Sequence, residues 1–79
     1  MVDKKKINEE LYTQKIADRV RELRKNAGLT QEKLAEAARI DYKFYQRIES
    51  GDRNITLKTL IKICNSLDIK LKDFFDFDI

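Results

Sequence analysis

Apolar residues recur along this chain at intervals of three and four rather than by alternation, the period of helices that share one core. Tyr12, Ile16, Val20, Leu23 and Ala27 form one such stripe. It predicts a helix over Glu9–Asn26 with Arg21, Glu22 and Lys25 off the buried face, ended at Gly28, a residue suited to a left-handed C-terminal position. Thr30 reads as the N-cap of a second helix of barely two turns, whose apolar face is Leu34, Ala35 and Ala38. Arg39 and Ile40 interrupt it, and Asp41 caps a third helix, Tyr42–Ser50, with Tyr45 and Ile48 inward and Gly51 closing it. Beyond the polar loop Asp52, Arg53 and Asn54, Thr56 caps a fourth helix over 57–67, with Leu60, Ile61, Cys64 and Leu67 as its buried stripe. A short fifth helix over 71–75 leaves Phe77 and Ile79 trailing. The expected architecture is all-α, a compact five-helix domain spanning 1–79 with residues 1–8 as a frayed arm.

Composition narrows the function. Seventy-nine residues are too few for two domains. A chain of this size buries only about 60–65% of its unfolded surface, so one core supplemented by self-association is expected. The absence of His and the single Cys remove the usual metal-ligand sets, the nucleophile–histidine pairs and any intrachain disulfide. No catalytic residue, metal ligand or cofactor is therefore expected, and the chain does not read as an enzyme. Cys64 lies on an apolar stripe, where a free thiol acts as a small hydrophobe. Asp68, Asp73, Asp76 and Asp78 are too dispersed for a cation site. No uncharged stretch is long enough for a membrane span or a signal peptide, so the expected location is cytoplasmic.

The net charge of +3 is unevenly spread, with 13 Lys/Arg against 10 Asp/Glu in residues 1–53 and 4 against 4 in residues 54–79. A basic excess is a weak pointer to a polyanion. Lys4, Lys5 and Lys6 read as a hydrated terminus.

The second and third helices carry a stronger signal. Two short helices joined by a tight turn, with a small residue in the first, have the form of a helix-turn-helix over about residues 30–50. Ala35 admits a close crossing, Ile40 plugs the turn, and Tyr45 with Ile48 docks the third helix. The face left outward presents Tyr42, Lys43, Phe44, Gln46 and Arg47. These groups can hydrogen-bond base edges, touch thymine methyls and meet phosphates, whereas an ordinary solvated face has no use for two aromatics on so short a helix.

From Ile16 to Ala35, and on through Arg47-Ile48-Glu49-Ser50-Gly51, the sequence closely resembles the Cro- and phage-repressor-type (XRE) helix-turn-helix family, most specifically at Leu29-Thr30-Gln31-Glu32 with Leu34-Ala35 and at Ile48-Glu49 with Gly51. The resemblance covers about residues 14–75. It implies that Gln31 holds a DNA phosphate and that Arg24 pairs with Glu49 as scaffold. It further implies that Tyr42, Lys43 and Arg47, with Gln46 and Phe44 beside them, contact bases, while Arg53 and Asn54 lie along the DNA backbone. The stretches Gly51 to Leu57 and Lys62 to Ile69 look like the small controller proteins of restriction-modification systems. Such controllers often begin the recognition helix with Arg-Thr-Tyr; Tyr42-Lys43-Phe44 stands there here, so a different operator is expected. Arg39 and Tyr45 stand where the wider family often has Gly and a β-branched aliphatic residue. A left-handed Arg39 would carry roughly 1 kcal/mol of strain.

Phe74, Phe75, Phe77 and Ile79 are hard to bury in one small monomer and, with Ile63 and Leu71, suggest a homodimer interface within residues 63–79. A two-fold dimer would read a pseudo-palindrome in double-stranded DNA with recognition helices about 34 Å apart. The expected function is thus a DNA-binding transcriptional regulator, with no small-molecule ligand. The alternative from another class is an antitoxin or adaptor whose aromatic C-terminus binds a different protein.

Overall fold

The computed structural model describes residues 7–78, which form five helices: α1 (Glu9–Asn26), α2 (Gln31–Ala38), α3 (Tyr42–Ser50), α4 (Leu57–Ser66) and α5 (Leu71–Phe74). The expectations placed on Lys4, Lys5, Lys6 and Ile79, and on the expected frayed arm as far as residue 6, lie outside the described residues; Asn8, assigned to that arm, is instead the N-cap of α1.

Each of the first four helices starts and stops by the same local chemistry. Asn8, Thr30, Asp41 and Thr56 accept, through side-chain oxygens, the backbone N–H three residues on, at 2.9, 3.1, 3.0 and 3.1 Å. At the other end the chain turns left-handed at Gly28, Arg39, Gly51 and Asp68. The next residue's N–H then reaches back five positions: Leu29 to Arg24 O, Ile40 to Ala35 O, Asp52 to Arg47 O and Ile69 to Cys64 O, at 2.9–3.2 Å. Glycine supplies the left-handed residue at two of the four stops; Arg39 (φ 57°) and Asp68 (φ 55°) take it with a side chain.

The helices pack as α1 on α3, α2 on α3 and α4, and α5 on α4. Val20, Leu34, Ala35, Ala38, Tyr45, Leu60, Ile63, Cys64 and Phe74 form the buried cluster, with Leu23, Leu29, Ile40, Ile55, Leu67 and Phe77 packed against it. Ala35 is buried at the α2–α3 crossing and Ile40 packs at the turn between them. On α1 the stripe sits slightly differently from the sequence reading. Ala17 is buried and Ala27 is exposed, since the helix has already given way to its terminal turn at Ala27.

Three expectations are corrected in the C-terminal third. Helix α4 buries Leu60, Ile63 and Cys64, while Ile61 is exposed, because one step of about 100° beyond Leu60 swings a side chain off the core-facing stripe. Ile63 and Phe74, assigned to a dimer surface, are fully buried in the monomer and unavailable to a partner. Phe74 fills the space between α4 and α1, stacking edge-on against Phe75 and Phe77 at centroid separations of 5.1 and 6.4 Å. Arg19 of α1 pins that corner, donating from Nε to Phe74 O and from Nη2 to Asp73 O, each at 2.7 Å. What α4 and α5 leave outside is Leu57, Ile61, Leu71 and Phe75.

Candidate nucleic-acid interface

The outward face of α3 rests on a charged group inside the protein. Among the described residues, Glu49 is the one charged side chain that is buried, at 3% exposure. Arg24 of α1 grips its carboxylate with both ends of the guanidinium fork, Nε to Oε2 at 2.6 Å and Nη2 to Oε1 at 3.2 Å. The remaining arm, Nη1, donates to Leu29 O at 2.8 Å, so one side chain ties α1 to both α3 and the turn before α2. Tyr45, one turn earlier on α3, donates its hydroxyl to Oε2, and Gln31 at the start of α2 donates Nε2–H to Oε1 at 3.0 Å. Arg21 adds a longer bond to the Glu49 backbone carbonyl, 3.3 Å. No buried side-chain nitrogen or oxygen among the described residues lacks a partner.

The electrostatics follow from these contacts. Burial pushes the Glu49 carboxyl up, but the hydrogen bonds from Arg24, Tyr45 and Gln31 and the Arg24 charge outweigh it and hold the group below its ordinary value. Burial, reinforced by the adjacent carboxylate, pushes the Tyr45 phenol up, and the hydrogen bond to Glu49 raises Arg24. The carboxylate thus stays ionised and the phenol neutral through the neutral range. Burial likewise raises the thiol of Cys64, which is free.

Seated on this hub, α3 turns Tyr42, Lys43, Gln46 and Arg47 to solvent; Phe44 is half-buried at its flank. Gln46 Nε2 donates to Tyr42 Oη at 3.3 Å and to Gln31 Oε1 at 3.5 Å, linking the outward face of α3 to the first residue of α2. Arg47 lies 3.8 Å from Asp52, an exposed and weak pairing that leaves its guanidinium free to exchange partners. Arg53 and Asn54 are exposed in the loop before α4, where Asn54 Oδ1 accepts a long 3.4 Å bond from Thr13 of α1. They line, with Tyr12, Thr13 and Ile16, a cleft of about 400 Å³ between that loop and the first turns of α1. Of the residues expected at the site, the fold brings Gln31, Tyr42 and Gln46 into contact and stations Lys43 and Arg47 on the same helix. Arg53 and Asn54 stand apart from them, over α1.

One participant and one contact escaped the sequence reading. Tyr45 read as a core filler, yet its hydroxyl belongs to the Glu49 hub; the i, i+4 spacing of the two on α3 is the signal that could have found it. Gln31 was expected at the site as a phosphate ligand; what was not foreseen is that one of its amide hydrogens goes to Glu49 and its carbonyl oxygen to Gln46.

The chain is similar to proteins of known kind. It is 36% identical over 62 residues to the control protein C.MunI of Mycoplasma sp, covering 77% of this chain and 84% of that one. The crystal structure of the restriction-modification controller protein C.AhdI from Aeromonas hydrophila superposes with a TM-score of 0.79 and 35% identity, covering 82% of this chain and 98% of the other. The controller protein C.Esp1396I, solved as a tetramer in complex with its natural 35 base-pair operator, matches with a TM-score of 0.77 and 31% identity, over 81% of this chain and 84% of that one. Residues 20–74 match the helix-turn-helix family HTH_3, and the chain belongs to that family.

Proposed function

We propose that this protein is a sequence-specific, DNA-binding transcriptional regulator of the restriction-modification controller kind, acting as a homodimer that reads a pseudo-palindromic operator through the major groove. The observation that carries the reading is α3 itself: a nine-residue helix locked from beneath by the Arg24–Glu49 pair and presenting Tyr42, Lys43, Gln46 and Arg47 outward. A helix held in this way can enter a major groove without losing its orientation. Lys43 and Arg47 supply charge, Tyr42 and Gln46 hydrogen bonds, and Phe44 an apolar edge for thymine methyls. Arg53 and Asn54 supply backbone contacts, and Gln31 has a second amide hydrogen for a phosphate. The relatives support the assignment, since C.Esp1396I has been crystallised with its operator.

Dimerisation is assigned to the exposed apolar residues of α4 and α5, Leu57, Ile61, Leu71 and Phe75, with Phe77 at their edge. The regulator has no enzymatic step, cofactor or small-molecule effector in this reading, and its occupancy is set by protein concentration through coupled dimerisation and DNA binding. Its place of work is the cytoplasm. Among the described residues no helix is long and apolar enough to cross a membrane.

Selection of bound sequences from a random duplex pool, with sedimentation of the free protein alongside, tests the proposal. A dimer enriching two inverted half-sites about 34 Å apart is the expected result. A folded protein that enriches nothing would overturn it and favour a role in binding another protein.

A further inference from the structure

Helix α5 is a single turn, and no side chain caps its start at Lys70, whereas Asn8, Thr30, Asp41 and Thr56 cap the other four helices. A turn this short is not stable on its own. Burial of Phe74 anchors it from one side, and Arg19 of α1 holds its end. The two 2.7 Å bonds, from Nε to Phe74 O and from Nη2 to Asp73 O, fix the two successive peptide planes that lead into Phe75. The third arm, Nη1, meets Glu22 Oε1 at 3.0 Å and aims the fork, and the Arg19 side chain is only 15% exposed. This directional contact comes from α1, outside the α4–α5 half.

Leu71 and Phe75, one helical turn apart, are the share of α5 in the exposed apolar surface; Leu57 and Ile61 are the share of α4. Five residues beyond Arg19, α1 carries a second fork, with which Arg24 grips Glu49 of α3. One helix therefore holds both the end of α5 and the base of α3, from positions about 7.5 Å apart along its axis.

Building on the homodimeric, operator-reading function above, we propose that Arg19 is a positioning residue for self-association: it keeps Leu71 and Phe75 in one surface with Leu57 and Ile61 and so fixes the separation of the two reading helices across the two-fold axis. With the fork gone, α5 frays and two copies meet on α4 alone, an apolar contact about which they can rock. Half-site spacing is the property that such rocking relaxes. One base pair more or less shifts a half-site by about 3.4 Å and turns it by about 35°.

Sedimentation of the full chain tests this, together with gel-shift titration on duplexes carrying the selected half-sites at the selected spacing and at one base pair more and one less. Wild type should favour its own spacing by about tenfold or more. Arg19→Met should weaken the free dimer about tenfold and compress the spacing preference to about threefold or less, with the base preferences inside each half-site unchanged. A loss of stability alone would instead weaken binding at all three spacings by one factor. Phe75→Ala leaves Arg19 in place and should weaken the free dimer by about tenfold or more, a measurement that stands whether or not Arg19→Met folds. A wild type indifferent to spacing, an Arg19→Met protein that keeps the wild-type spacing preference, or a dimer untouched by Phe75→Ala would each overturn the role of Arg19 while leaving the regulator a dimer. A wild type that stays monomeric or selects no half-sites would remove the homodimeric reading itself, and this role with it.

Discussion

The α2–α3 half and the α4–α5 half are built from the same parts and differ in what they do with polar groups. Both use a threonine N-cap at their first helix and the same five-back hydrogen bond at their inner turn. The α2–α3 half encloses a carboxylate, Glu49, and carries a polar, partly basic surface. The α4–α5 half encloses only apolar side chains, Leu60, Ile63, Cys64 and Phe74, and leaves Leu57, Ile61, Leu71 and Phe75 outside. Residues 54–79 also carry no net charge. Apolar packing is non-directional and tolerates small slips, whereas a bidentate ion pair allows one arrangement. The half that must hold a reading surface in register uses the directional device, and the half that can serve self-association does not.

Removing the ion pair should have the largest effect. Arg24→Met keeps the aliphatic stem but leaves the Glu49 carboxylate buried without its charge partner, a change that typically costs about 3–5 kcal/mol and a large share of a small domain's stability. Urea denaturation would read it, and a loss under 1 kcal/mol would mean that Glu49 is solvated in solution. The pH dependence follows from the same group. Its carboxyl is held below the ordinary value in the folded state, so the stabilisation is complete above the unfolded value near 4.5 and is lost as pH falls through the depressed folded value. At the alkaline end Tyr45 is raised, so stability should decline above the unfolded value of 10.0, where the unfolded phenol ionises and the folded one does not. Arg24→Met should remove the acid limb of this profile.

The apolar half should be insensitive in fold and sensitive in assembly. Ile61→Asp changes an exposed residue, so the monomer should retain its denaturation midpoint within about 0.5 kcal/mol. A two-fold interface would carry the change twice, and at about 1.5 kcal/mol for each isoleucine the dimer should weaken by about 3 kcal/mol, roughly a hundredfold. Analytical ultracentrifugation measures this directly. An unchanged dimer would move the interface off α4.

On the reading surface the expected scale is smaller again. Arg47→Ala should weaken binding to a selected operator by about 1–3 kcal/mol and relax one base position, because the weak pairing with Asp52 gives way on binding. A gel-shift titration in which the variant binds like wild type would remove Arg47 from the base contacts.

How much of this was legible in the sequence depends on the kind of interaction. Capping is local, so Thr30, Asp41, Thr56 and the glycine stops could be read directly, and with them the helix boundaries to within a residue. Which flank of an apolar helix is buried is set by its neighbours: α4 carries apolar residues on two adjoining stripes, and only packing against α2 and α5 decides that Ile63 is inside and Ile61 outside. The aromatic cluster misled for the same reason, since Phe74 has a place in the core that the chain alone does not reveal. The Arg24–Glu49 pair spans 25 residues and was implied by family resemblance; the attachment of Tyr45 and Gln31 to it depends on three helices meeting at one point.

The smallest effect sharpens the comparison, because the two halves share a strained feature at their inner turns. Arg39 closes α2 and Asp68 follows α4, both left-handed and both setting up the same backward hydrogen bond. Aspartate is tolerated there through its short polar side chain, whereas arginine bears about 1–2 kcal/mol of strain. Arg39→Gly relieves that strain but adds about 0.5–1 kcal/mol of unfolded-state entropy and removes a positive charge from the C-terminus of α2, where the helix dipole favours one. The net expectation is a gain of about 0.5 kcal/mol for Arg39→Gly and none for Asp68→Gly, read as a difference in urea midpoint between the two variants. Loss of stability in Arg39→Gly would mean that the charge at the end of α2 outweighs the backbone, and that the helix-turn-helix turn keeps a costly arginine for what its side chain does.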